Sequence, residues 1–396
     1  MKTNFIAVIG MLTVLAVGCS KDLSVADENA WIYDESLPVP IEFGSLSSEI
    51  VSKAAINNFP AGEFSPAFGV FAWAENHSDG MQVSAESIFP AGYKRAQVWT
   101  STGISKIYFQ EQGASVKPAY YPMSSQYDYS FYAYHIGTEE IAGSYTDDES
   151  YVLNLDFSEP FNDVLWGKFA DSDIPYGDEL PHLFYNDTQI KGFNARFSRA
   201  AGKQAVVPKE SYYPVINFEH ICTAFRFYAK ADFMDISDFI TLRDKLKITS
   251  VSISNVPSSA VLTVASRESG KEGKLVPSAE LETVEMNFDP AIIATGYQSK
   301  EGNGSVMKMT ETNDDRFFLP AGDYSESVVT IGLTLDGNPN TLEFPLVYEG
   351  SSVFEAGKCY SFVVIFKTIE EISLRATLSP WDESPVTIVD LESLYN

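Results

Sequence analysis

Nine consecutive residues, Tyr127 to His135 (YDYSFYAYH), alternate strictly, placing Tyr127, Tyr129, Phe131, Ala133 and His135 on one face. A period of two over that length is a strand signal, because successive side chains of a strand point to opposite faces. The same reading applies to Phe68–Trp73, Ala96–Trp99 and Lys106–Phe109. Val215–Tyr228 is longer: Ile221, Thr223, Phe225 and Phe227 share one face, and His220, Cys222, Ala224 and Arg226 share the other. It reads as a central strand. Shorter runs follow at Val152–Leu155, Asp163–Trp166, Lys247–Ile253, Ala260–Val264, Phe317–Gly322, Val328–Leu335, Leu342–Tyr348 and Lys358–Lys367. Val256–Ser259 and Asp336–Pro339 read as turns between strands. One short helix is predicted over 233–246, from the near-helical spacing of Phe233, Ile236, Phe239, Ile240 and Leu242. The 21 Tyr and 27 Phe suit this picture, since rings pack well on a pleated face. The expected fold class is all-β, built of sandwiches.

The chain begins with a different kind of pattern. Lys2 precedes an apolar run from Phe5 to Val17, which stops at Gly18-Cys19 and gives way to Ser20-Lys21-Asp22. That is the layout of an export signal, too short in its apolar part for an ordinary membrane-spanning helix. The cysteine at its end resembles the lipidation site of a bacterial lipoprotein, with Cys19 as the mature, lipid-bearing N-terminus. The chain divides accordingly into a signal (1–18), an extended tether (19–40), a first sandwich domain (41–270), a second (271–385) and a tail (386–396). The inner boundary is placed in the polar stretch 265–281, which carries two glycines and a proline.

Charge excludes some partners. With 27 Lys+Arg against 54 Asp+Glu, a net charge of −27 should repel nucleic acid and anionic headgroups. Cys222 and Cys359 each sit in a strand-like apolar run. They read as two buried free thiols rather than a disulfide, although export permits one. No sequence motif for catalysis, nucleotide binding or a zinc site is present, and the four histidines show no metal-ligand spacing. No cofactor, metal or catalytic residue is expected. His220, in mid-strand, reads as a histidine satisfied within the sheet. The acidic stretches Asp147–Glu149 and Asp171–Glu179 lack the spacing of a calcium loop and read as solvated surface. Trp73, Trp99 and Trp166 are either sandwich anchors or stacking platforms for sugars.

Several short runs occur in a telling order: Ile41-Glu42-Phe43, Ser52-Lys53-Ala54, Phe68–Trp73, Tyr120-Tyr121-Pro122, Tyr129–Tyr134, Phe218-Glu219-His220-Ile221, Ala356–Tyr360 and Pro380-Trp381. Together with the lipoprotein-like signal they resemble a Bacteroidales fimbrillin of the Mfa-like kind. The resemblance implies two transthyretin-like sandwiches in tandem, outer-membrane export, and a structural role in cell-surface fimbriae that serve adhesion and biofilm formation. Its partners would be other fimbrial subunits joined by strand complementation, the outer membrane through the lipid on Cys19, and a host or bacterial surface receptor.

In that family a protease removes the first strand, usually after an arginine, and a strand of the next subunit fills the gap. Here no arginine precedes Arg95, and the basic residues ahead of the first firm strand are Lys21 and Lys53. The Lys53-Ala54 bond is the candidate cleavage site. If the protease requires arginine, the chain would keep its lipid and serve as an anchor. The tail, with Val386, Ile388 and Leu391, is either the donor strand or a segment of its own domain. A different class fits the same address and composition: a surface glycan-binding lipoprotein of a polysaccharide-uptake system. It would need an exposed ring such as Trp99 or Trp166.

Overall fold

Residues 221–229 are buried without a break, because this stretch offers a compact or aromatic side chain at nearly every position on both faces of its strand. A computed structural model describes residues 39–41, 67–76, 82–83, 93–101, 104–109, 120–121, 127–137, 143–146, 150–160, 162–170, 215–216, 218–231, 245–268, 270–293, 307–308, 316–366 and 372–379. Every element among them is a strand. The helix expected over 233–246 lies outside the described residues except at its end, where Leu246 already opens a strand.

Four sheets carry the fold. In the first, the strands run in the order Val215–Ile216, Leu165–Ala170, Tyr127–His135, Phe68–Asn76, Tyr93–Ser101 and Ile104–Phe109. The second has the order Lys274–Pro277, Ser259–Ser266, Ser150–Asp156 and Ser144–Thr146. The third runs Met307–Lys308, Cys222–Ala231, Cys359–Phe366 and Ile372–Ser379, with Phe317–Pro320 also on Cys222–Ala231. The fourth runs Leu281–Ile293, Leu246–Pro257, Val328–Leu335 and Asn338–Pro345. Pairings are antiparallel except that Cys222–Ala231 and Cys359–Phe366 lie parallel, from Ala224 beside Cys359 to Ala231 beside Phe366.

Sheets stack through large rings. Phe71 of the first stacks on Tyr151 of the second, with centroids 4.4 Å apart, and Trp166 Nε1 donates to the Val264 carbonyl at 2.8 Å. In the fourth sheet Val329, Ile331 and Leu333 are buried while Thr330, Gly332 and Thr334 between them are half-buried. That one-sided face joins Phe225, Phe227, Phe362 and Val364 of the third in the same core. Phe225 is its hub: it touches the rings of Tyr324, Phe354, Tyr360 and Phe362.

Several expected turns and strands fall differently. Val256–Ser259 is not a hairpin turn. Leu246–Pro257 runs through it, the chain bends at Ser258, and Ser259–Ser266 then joins a different sheet. The polar stretch 265–281, read as the boundary, holds the turn and return strand of a hairpin, Ser259–Ser266 with Lys274–Pro277. Its polarity reflects exposure, since Lys274, Val276 and Pro277 at the end of the second sheet are all exposed. The third and fourth sheets draw strands from both sides of this stretch, and the second sheet takes the strand Lys274–Pro277 from within it. Leu281–Ile293, thirteen residues long, had no counterpart in the sequence reading. Asp336-Gly337 alone makes the turn predicted over 336–339, both residues with positive φ (51° and 81°), as a two-residue hairpin loop requires. Pro339 belongs to the following strand, at the end of the sheet's order, where a missing N–H is tolerated.

The first strand also differs. Val39–Pro40 pairs with Tyr120–Tyr121, whereas Ile41, expected to begin the strand, lies just beyond the pairing and is buried. Residues 42 and 43 are outside the described set.

Phe225 is wholly buried among four rings, so Phe225→Ala leaves a cavity that neighbours of this size cannot close. We expect a loss of about 3–5 kcal/mol, read as a lower denaturant midpoint at unchanged m-value.

Candidate functional site

Two chain segments that the sequence places 57 residues apart meet at the end of the first sheet. Leu165 lies between His135 and His220, paired with one on each side. Two residues before it, Asp163 accepts a hydrogen bond from His220 Nδ1 at 2.5 Å. Both side chains are close to nine-tenths buried. His135 Nδ1 donates to the Ala67 carbonyl at 2.8 Å. His220 Nδ1 is therefore paired within the fold; the identity of its partner, Asp163, has no sequence signal because nothing local relates the two.

The next residues, Ile221 and Cys222, lead into the central strand of the third sheet. Cys222 and Cys359 are free and wholly buried, as expected from their apolar runs. Burial raises the Cys222 thiol well above its ordinary range, and the Asp163 carboxylate adds to the shift. Burial raises Cys359 too, against the opposing pull of Arg226 and Arg316. Both are protonated thiols at neutral pH, the opposite of an activated nucleophile. An aspartate, a histidine and a cysteine thus lie near one another without the access or the thiolate that nucleophilic chemistry needs. Among the described residues no group of three His, Cys, Asp or Glu side chains is arranged to hold a metal ion.

The tryptophans divide. Trp166 is half-buried, with Tyr132 6.4 Å away between ring centroids, and Gly273 fits against its ring: a Cβ there would come within 2.6 Å of it. Trp73 is buried under the Arg267 guanidinium, 5.3 Å from the ring centroid. Both serve as anchors of the first stack rather than as open platforms. Trp99 lies on the strand Tyr93–Ser101. Asp147–Glu149 and Asp171–Glu179 are outside the described residues, as are Cys19, Lys53, Ala54, Val386, Ile388 and Leu391.

The described residues also include a short first strand. Val39–Pro40 and Tyr120–Tyr121 form a sheet of two strands, two residues each. Pro40 brings no N–H to that ladder. Behind it Tyr121 is buried, its ring 6.1 Å from Tyr129 and 6.2 Å from Phe131.

No protein-family model matches the chain, and no curated protein matches it. Solved structures do. A "putative cell adhesion protein" from Bacteroides uniformis aligns over 87% of this chain and 98% of its own, at 15% identity and a TM-score of 0.50. Another so described, from Bacteroides ovatus, aligns over 88% and 100% at 11% identity and a TM-score of 0.47. The tip fimbrial protein Mfa3 of Porphyromonas gingivalis aligns over 87% and 100% at 9% identity and a TM-score of 0.36. At 15% identity the first of these establishes likeness of fold across nearly the whole chain.

The buried histidine makes stability depend on pH. Burial holds His135 below its ordinary value of 6.5, partly opposed by the Ala67 carbonyl and the Asp163 carboxylate. The unfolded chain therefore takes up that proton first as pH falls. His135 contributes stability that is present above the ordinary imidazole range and is lost as pH drops through and below it. We expect a lower denaturant midpoint at about pH 5.5 than at about pH 7.5, with a smaller difference in His135→Gln, which cannot titrate.

Proposed function

We propose that this protein is a non-enzymatic structural subunit of a cell-surface fimbria, assembled through exchange of strands between neighbouring subunits. The observation that carries the reading is the first strand. Among the described residues it pairs through two residues, Val39 with the buried Tyr121 and Pro40 with Tyr120, and its removal would leave Tyr120–Tyr121 without that pairing. An unpaired strand with apolar pockets behind it is a template for a strand from another chain. The likeness of fold to the Bacteroides uniformis adhesion protein supports the same reading.

On this proposal Cys19 carries the lipid that holds the chain at the outer membrane. Cleavage at Lys53-Ala54 would take away Val39, Pro40 and Ile41 together. The tail, through Val386, Ile388 and Leu391, would supply the replacement strand to the next subunit. A chain that escapes cleavage would remain lipidated as an anchor.

Three measurements test it. Cys19→Ala should move the protein from the membrane fraction to the medium; unchanged membrane association removes the anchor. N-terminal sequencing of surface material should find Ala54 in polymerised chains; polymers that all begin at Cys19 rule out cleavage as the trigger. Deleting residues 386–396 should abolish polymers while leaving the monomer folded; polymers of normal length exclude the tail as donor.

A further inference from the structure

The two stacked sheet pairs are joined in an unusual way. A chain that connects two domains by one linker leaves them free to rotate, and such motion is the ordinary expectation. Here the backbone passes between the first stack (first and second sheets) and the second stack (third and fourth sheets) at three described places. Glu219–His220 belongs to the first sheet, and after Ile221 the chain becomes Cys222–Ala231 of the third. Leu246–Pro257 of the fourth bends at Ser258 into Ser259–Ser266 of the second. Lys274–Pro277 of the second leads through residues 278–280 into Leu281–Ile293 of the fourth.

Two of these crossings are bonded to one another, and the third is bonded to both stacks. Around Ser258, the Phe157 N–H donates to the Ser258 carbonyl at 2.7 Å, the Ser258 N–H to Glu280 at 3.0 Å and the Ser278 N–H to Ser259 at 2.9 Å. On the other side, the Ile221 N–H donates to Val164 at 3.1 Å and the Phe318 N–H to Pro160 at 2.7 Å. The turn at Gly357 closes against the crossing strand: its N–H donates to the Cys222 carbonyl at 2.8 Å. A side chain at 357 would meet the His220 carbonyl at 3.2 Å, and its φ of +71° suits glycine.

Among the described residues Glu219–His220 meets the first sheet at Trp166 and Leu165, and Val215–Ile216 just before it pairs the same strand at Phe169 and Ala170. After Ile221 the chain continues into the buried strand Cys222–Ala231 of the second stack. The Asp163–His220 hydrogen bond lies at that crossing, shielded from water on both partners, where the low dielectric strengthens it. We propose that the joint is a rigid coupling pinned by Asp163 and His220, so that the two stacks open only as one cooperative unit. The pin holds the base of the second stack's central strand to the first sheet. Without it, that crossing keeps its ladder pairs and backbone hydrogen bonds such as that of the Ile221 N–H to Val164, but loses its buried side-chain link.

Amide hydrogen exchange on the full chain, read strand by strand, tests this. In the unaltered protein the slowest amides of Phe68–Asn76 and Tyr127–His135 should exchange at the same protection as those of Cys222–Ala231 and Cys359–Phe366, the signature of one unit of opening. In Asp163→Asn the two sets should part by about tenfold or more. His220→Gln should do the same, and it replaces the first variant if that one does not fold. Two distinct levels of protection in the unaltered protein would overturn the proposal. So would a variant in which both sets fall together, since that is what loss of an ordinary stabilising contact produces, or one in which neither changes.

Discussion

The strand Cys222–Ala231 has both faces covered along almost its whole length, and the rest of the second stack is arranged around that fact. Burying a phenylalanine contributes about 1.5–3 kcal/mol, so Phe225 and Phe227 with their ring neighbours make this strand a substantial source of stability. Its parallel partner, Cys359–Phe366, is separated from it by more than a hundred residues of chain. A parallel pair needs a crossover connection, and here the crossover contains the whole fourth sheet and an excursion into the second. The core of the second stack is thus completed late in sequence, by contacts of long range, which makes for slow folding.

Buried polar groups follow from the same geometry. A strand that leaves one sheet for another must place some residues where neither sheet satisfies them. His220 Nδ1 meets this by donating to Asp163; His135, at the end of its strand in the first sheet, donates to the Ala67 carbonyl. The thiols at Cys222 and Cys359 behave as small apolar side chains, protonated and out of reach. What resembles a reactive cluster in composition is packing at a joint. Val39–Pro40 and Tyr120–Tyr121, with Tyr121 buried, form a separate two-stranded sheet.

The sequence was informative wherever a strand has a distinct inner face. Tyr127–His135 and Val328–Leu335 were legible to the residue, because their alternation is imposed by one core and one solvent side or by two unlike layers. It was misleading where composition stood in for position. Residues 265–281 look like a linker, yet are polar because they form the exposed arm at the end of a sheet. Pro339 looks like part of a turn, yet sits where a strand without a donor is tolerated. Of the candidate site, His220 and the two cysteines were visible as strand residues, but Asp163 as the partner of His220 was not.

The amino-acid sequence by itself determined that this protein is built of strands, which of their side chains turn inward, and where glycine must open a hairpin. These are local matters, settled by the two-residue period of a strand and by the backbone freedom of residues such as Gly337. Only the tertiary structure decided which strands are neighbours: that Ser258 is a crossing and not a turn, that residues on both sides of 270 build each stack, and that Asp163 finds His220. The physical reason is that backbone donors and acceptors are the same along every strand. A strand's own residues say which face it buries, but its partner is chosen by how all the inner faces pack at once.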